Sequence, residues 1–151
     1  MEIWESGEAV SDGIASRVMP ETRTILIVDD DKSVRDSLER VLRLQNFDVL
    51  LAGSGKDALR EALRAKIDFV FLDLTLGPND DGWDTFDALQ RVAPSLPVLV
   101  MTGEAPRMAH SSASRAAALL LKPITDYPYL FRRLRELQTP GQAKDVLVVN
   151  H

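Results

Sequence analysis

"TILIVDDDKSVRD", residues 24–36, runs an apolar, β-branched stretch straight into three consecutive carboxylates, Asp29, Asp30 and Asp31. The first five residues read as a buried strand, and the acids mark where that strand leaves the core. At about 6 Å in an effective dielectric near 20, each pair of such charges repels by roughly 3 kcal/mol. A bound cation or bulk water must offset that cost, so the end of this strand is the first place to look for chemistry.

Four more short apolar runs follow: "FDVLLA" (47–52), "FVFL" (69–72), "PVLVM" (97–101) and "ALLL" (118–121). None alternates strictly, as expected of strands buried on both faces. Between them, apolar residues recur at helical spacing: Val34, Leu38, Val41 and Leu42, then Ala58, Leu59, Ala62 and Leu63, then Phe86, Leu89 and Val92. Leu130, Leu134 and Leu137 mark a last helix. Strand alternating with helix predicts an α/β fold, a doubly wound five-stranded parallel sheet with helices on both faces. "APSLP" closes the third helix, and Pro97 falls at a strand start, where a missing N–H is tolerated. The segment "MAHSSASRAAA" has few large apolar anchors, so a fourth helix there is expected to be weakly held.

The 151 residues fit one domain. We divide them into a loosely ordered leader (1–23), in which Met19 is an alternative start, a domain over 24–137, and a tail (138–151). The tail begins "QTPGQ" and ends "DVLVV", an edge strand or a disordered end. The composition, 45% hydrophobic and 27% charged, is that of a soluble globular chain. No apolar run is long enough to span a membrane, and the acidic start "MEIWESGEAV" is not a secretory signal, so a cytoplasmic location and no membrane insertion are expected. The absence of Cys excludes disulfides and thiolate chemistry, and a net charge of −5 offers no footprint for direct nucleic-acid binding.

In a parallel α/β sheet, ligands bind outside the carboxyl ends of the strands. That rule gathers Asp29 and Asp30 from the first strand, Asp73 from the third, Thr102 from the fourth and Lys122, followed by Pro123, from the fifth. Hard oxygen ligands in this number suit Mg²⁺, which would offset the carboxylate repulsion. A carboxylate beside such a cation, with an ammonium and a hydroxyl near, has what an aspartyl-phosphate requires. Asp73 is the best candidate, since it stands alone at the end of "FVFLD".

Across residues 23–137 the motifs "ILIVDDDKSVR", "AGSGKDAL", "FVFLDL", "VLVMTGE" and "LLLKP" follow one another in the order of the response-regulator receiver domain, which the chain resembles. The resemblance implies a flavodoxin-like strand order 2-1-3-4-5, as in chemotaxis regulators. It makes Asp73 the phosphoacceptor, with Asp30 and Asp73 as direct Mg²⁺ ligands, Asp29 acting on the metal through water, and the Thr75 backbone carbonyl as a further ligand. Thr102 and Lys122 would bind phosphoryl oxygens, Gly103 would serve the site structurally, and Pro123 would follow a cis peptide bond. The implied partners are a histidine kinase or histidine phosphotransfer protein and an unidentified downstream protein, with a homodimer among the oligomeric states the family allows. Such a domain is not an enzyme in its own right; it assists only its own phosphorylation and dephosphorylation.

Other acidic and glycine-rich stretches have plainer readings. Asp31 suits a helix N-cap, and Asp80, Asp81 and Asp84 suit a solvated loop and helix start. "GSGK" (53–56) lacks the flanking Gly and Ser/Thr of a phosphate loop, because Leu50 and Asp57 occupy those positions. His110 and His151 are too isolated for a metal site or a nucleophile relay and are expected to be exposed. Two departures from the family stand out. The loop "LTLGPNDDG" after Asp73 is longer than usual, with Gly77 and Pro78 placed to bulge it. Leu119 also stands where the family commonly has a switching aromatic, so the response to phosphate is expected in the loops after Asp73 and Thr102 and in the weak fourth helix. These departures leave a phosphate-independent pseudo-receiver, a protein-interaction module, as the alternative reading. A dehalogenase-type phosphatase would need a second Asp at Thr75, which is missing.

Overall fold

The computed structural model describes residues 22–138 and the pair 148–149. The elements are β1 (Thr24–Val28), α1 (Lys32–Leu44), β2 (Asp48–Ala52), α2 (Gly55–Arg64), β3 (Phe69–Asp73), α3 (Gly82–Val92), β4 (Val98–Thr102), β5 (Ala118–Leu121), α4 (Tyr127–Gln138) and β6 (Val148–Val149). The sheet is parallel throughout, in the order β2-β1-β3-β4-β5-β6. Its first five strands follow the expected 2-1-3-4-5 order, and β6 adds a short sixth beside β5, in register Leu119↔Val148 and Leu120↔Val149. The leader over 1–21, the alternative start at Met19, His151 and the rest of the tail lie outside the described residues.

Successive strand residues point to opposite faces and so build two cores. Leu26, Val28, Val70, Leu72, Val98 and Val100 pack with α2 and α3 through Ala58, Trp83, Phe86 and Leu89. Ile25, Ile27, Phe69, Phe71, Leu99 and Met101 pack with α1 and α4 through Leu38, Leu42, Leu130 and Leu134. All five residues of β3 are buried, which explains its unbroken apolar sequence. Two residues expected on buried helix faces are not: Leu63 is 72% exposed and Val92 46%. Both lie in the last turn of their helices, where the helix outruns the sheet beneath it.

Local chemistry sets the ends of the elements. Asp31 caps α1 by accepting the Ser33 amide at 2.9 Å, and Ser54 caps α2 by accepting the Asp57 amide at 3.1 Å. α1 ends at Leu44, and the positive φ of 69° at Asn46 lets Phe47 N–H turn back to Leu42 O at 3.1 Å.

The largest departure from expectation lies between β4 and β5. No α-helix forms there; two 3-10 turns, Ala105–Met108 and Ala113–Arg115, take its place. Met108 and the small side chains of Ala113, Ala116 and Ala117 are what this segment offers the two cores, too little to fix an amphipathic helix on the sheet.

Candidate functional site

Buried β1 delivers Asp29 into the protein and leaves Asp30 outside it, so the two neighbouring acids differ in character: Asp29 is fully buried and Asp30 exposed. Asp29 is held from three sides. Its Oδ1 accepts the Asp31 amide at 2.9 Å, its Oδ2 receives Lys122 Nζ at 2.9 Å, and its backbone carbonyl receives Arg35 Nη1 at 2.7 Å. Arg35 lies in the quoted stretch, yet nothing in the sequence distinguished it from a solvated helix residue; its role depends on the turn of chain that places α1 over the β1 end.

Asp73 ends β3 and is also buried. Its Oδ1 accepts the Thr75 amide at 3.1 Å, and its Oδ2 lies 3.5 Å from Lys122 Nζ. Carboxylate oxygens of Asp29, Asp30 and Asp73 all come within 4.8 Å of one another. Lys122 therefore bridges the two buried acids. Much of the repulsion that the sequence assigned to a cation is met by this ammonium and by backbone amides.

The offset is incomplete. Burial pushes the Asp73 carboxyl up to about 6, and the Asp29 charge adds to the rise, outweighing the Thr75 amide and Lys122. Burial pulls the Lys122 ammonium down, but its hydrogen bond to Asp29 and the charges of Asp73 and Asp29 prevail and raise it. A carboxylate left short of positive charge, with two others in reach, fits a divalent cation.

Thr102 is buried at the end of β4, and its hydroxyl is engaged with its own loop, accepting the Glu104 amide at 3.0 Å. The structure thus brings Asp29, Asp30, Asp73 and Lys122 together and leaves the Thr102 hydroxyl turned to Glu104. The Lys122–Pro123 peptide is cis. At Gly103 an added Cβ would meet nothing within 4 Å, so no steric demand for glycine exists there.

The loop after Asp73 is closed by an antiparallel bridge between Thr75 and Asp81, with Gly77 at φ +126°. Asp81 caps α3 through the Trp83 amide at 2.9 Å. Asp80, expected in a solvated loop, is half-buried: it accepts the Gly55 amide at 3.0 Å and so ties this loop to the start of α2. His110 is exposed, as expected, and its ring stacks on Trp83 at 4.8 Å and 9°.

Residues 25–135 match the response regulator receiver domain family. The chain belongs to that family. It is 37% identical over 103 residues to the response regulator MprA of Mycobacterium leprae, a match covering 68% of this chain and 42% of that protein. It is 41% identical over 78 residues to the transcriptional regulatory protein PrrA of Mycobacterium tuberculosis, covering 52% of this chain and 33% of that one. The chain thus spans under half the length of these relatives. Among solved structures, a response regulator from Burkholderia pseudomallei, determined with a phosphorylated aspartic acid, a calcium ion and citrate, is 28% identical, with a TM-score of 0.66 over 77% of this chain and 71% of that one. A receiver domain from Methanospirillum hungatei shares the fold at 23% identity, with a TM-score of 0.71 over 80% of this chain and all of that one. The protein is a receiver domain of two-component signalling, and among its described residues no helix is long and apolar enough to cross a membrane.

Proposed function

We propose that Asp73 is the phosphoacceptor of this receiver, that Asp29, Asp30 and Asp73 with the Thr75 carbonyl hold Mg²⁺, and that Thr102 and Lys122 bind the phosphoryl oxygens. The observation that carries this reading is the placement of Asp73: a buried carboxylate at the end of β3, 3.5 Å from an ammonium and within 4.8 Å of two further acids. An Asp73 oxygen attacks the phosphorus of a phosphohistidine, the P–N bond breaks as the P–O bond forms, and the leaving imidazole takes up a proton. Lys122 neutralises charge on the transferred group and keeps Asp29 compensated. The bound cation supplies further neutralisation of the phosphoryl oxygens. Hydrolysis of the acyl phosphate by water resets the domain, so its only chemistry is on itself.

The donor is a histidine kinase or histidine phosphotransfer protein of the cytoplasm, and a downstream protein reads the result. A cavity of about 450 Å³ lined by Ser33, Ser37, Lys122, Pro123 and Tyr127 lies between α1 and the start of α4, and supports an approach from that side. Incubation with Mg²⁺ and acetyl phosphate, followed by intact mass measurement, should add one acid-stable, base-labile phosphoryl group to wild type and none to Asp73→Asn. Equal labelling of both proteins would remove Asp73 from this role. No labelling of either would return the domain to a phosphate-independent interaction module.

Asp30 tests the cation site separately. Because it is exposed, its charge is screened, and Asp30→Asn should change stability in EDTA by no more than about 0.5 kcal/mol. Millimolar Mg²⁺ should raise the melting temperature of wild type by binding the native state, and that rise should be absent in Asp30→Asn. A variant with the full Mg²⁺ response would take Asp30 out of the ligand set.

A further inference from the structure

The segment 103–117 joins Thr102 to β5, and its tethers converge on one face of α3. Trp83 Nε1 donates to the Arg107 carbonyl at 2.7 Å, and the Trp83 ring stacks on His110. Ser112 Oγ and Arg115 Nη2 each donate to Asp87 Oδ1 at 2.7 Å, and the Arg115 guanidinium lies 5.6 Å from the Phe86 ring centre. The indole is itself fixed, being 2% exposed and packed edge-on against Phe86 at 5.3 Å.

Trp83 also belongs to the other loop of the site. Its amide is bound by Asp81, the residue that bridges Thr75, two positions beyond Asp73. The loops that leave Asp73 and Thr102 therefore meet at one residue, the first at its backbone amide and the second at its indole. Leu119, which stands where the family carries its switching aromatic, is buried on β5 in the core that also holds Trp83 and Phe86, and offers neither ring nor polar atom.

We infer that Trp83 is the positioning residue through which phosphorylation reaches the 103–117 segment, an aromatic relay moved from β5 to the start of α3. The inference rests on the phosphoacceptor reading above. For the Thr102 hydroxyl to donate to a phosphoryl group on Asp73, it must turn its O–H away from the Glu104 carbonyl, 3.4 Å away, and so disturb its two-way contact with Glu104. Glu104 and Arg107 form one tight turn, joined by Arg107 N–H to Glu104 O at 3.0 Å and by an ion pair at 3.3 Å. A shift at Glu104 therefore carries the Arg107 carbonyl with it and breaks or re-aims its bond to the indole. With few apolar anchors to resist, the rest of the segment follows.

The test uses the full chain carrying Trp4→Phe, which leaves Trp83 as the single tryptophan. Phosphorylation by acetyl phosphate, or Mg²⁺ with beryllofluoride, should shift and quench Trp83 emission in proportion to the labelled fraction measured by mass. In Thr102→Ala, compared at equal labelled fraction, the emission change should be lost. Trp83→Phe should still take label on Asp73, while amide exchange over 103–115 is faster than wild type and insensitive to beryllofluoride. Label on Asp73 with unchanged Trp83 emission, or an emission change that survives in Thr102→Ala, would overturn the relay while leaving the phosphoacceptor in place. Absence of label from wild type would overturn both.

Discussion

Asp73→Asn should melt roughly 10 °C above wild type at pH 7 in EDTA, a gain of about 3 kcal/mol. The carboxyl of Asp73 is held up at about 6 by burial and by Asp29, and each tenfold change in proton affinity corresponds to about 1.4 kcal/mol. The folded chain keeps that proton more tightly than the unfolded chain does. Across the window from the ordinary carboxylate value to about 6 the unfolded state binds fewer protons, so wild-type stability falls as pH rises and stays reduced above it. An amide carries no charge at any of these pH values and still accepts the Thr75 N–H, so that part of the pH dependence should vanish in the variant. Thermal melts between pH 4 and 8 without metal read both effects. A variant that melts below wild type at pH 7 would show that the attraction of Lys122 for Asp73 outweighs its burial.

The second large effect is expected at Gly82→Ala. An added Cβ there would collide with Leu74 Cα and stand 2.7 Å from Asp73 O and Leu74 C. All three are backbone atoms, and none can swing aside. Gly82 N–H also donates to Leu74 O at 3.1 Å, which pins the start of α3 against the end of β3. Relief requires α3 or the Asp73 peptide to move, at a cost of about 3 kcal/mol or more. Urea denaturation should show the loss directly, and labelling by acetyl phosphate should slow as well, because the displaced peptide is that of Asp73. Gly103→Ala is the matched control, with open space around the new methyl and a change within about 0.5 kcal/mol. Similar midpoints for the two variants would mean that α3 yields at no cost.

The strands and the acidic edge were legible because each rests on a short-range signal. A buried parallel strand needs an unbroken apolar run, and the residue that ends it must lie on the ligand edge, so "FVFLD" and "TILIVDD" could be placed without tertiary information. The cap at Asp31 was legible for the same reason. What escaped depends on pairs distant in sequence. Lys122 could be placed at the site but its bridge from Asp29 to Asp73 could not be read, nor could the bond from the Gly55 amide to Asp80, 25 residues away. The close fit of Gly55 at the start of α2 was not legible either: a Cβ there would collide with Thr85 Oγ1. Between β4 and β5 the deficit of apolar anchors was visible and was read as a weak helix, whereas the chain resolves it with turns hung from Trp83. A tryptophan two residues into a helix reads as core, and only the fold reveals that its N–H reaches a carbonyl 24 residues on.

β6 pairs with β5 through only two residues, and β5 pairs with Thr102 at Leu121. The two ends of the sheet therefore differ in mechanical terms. Load applied at Thr24 enters the interior strand β1, clamped by five register pairs to β2 and four to β3, and is spread across the sheet. Load applied beyond Val149 is borne by a strand that two pairs retain, and it passes into β5 one strand from Thr102. Cargo tethered at that end pulls on a short lever, and tension there sheds β6 long before it strains the Asp73 edge.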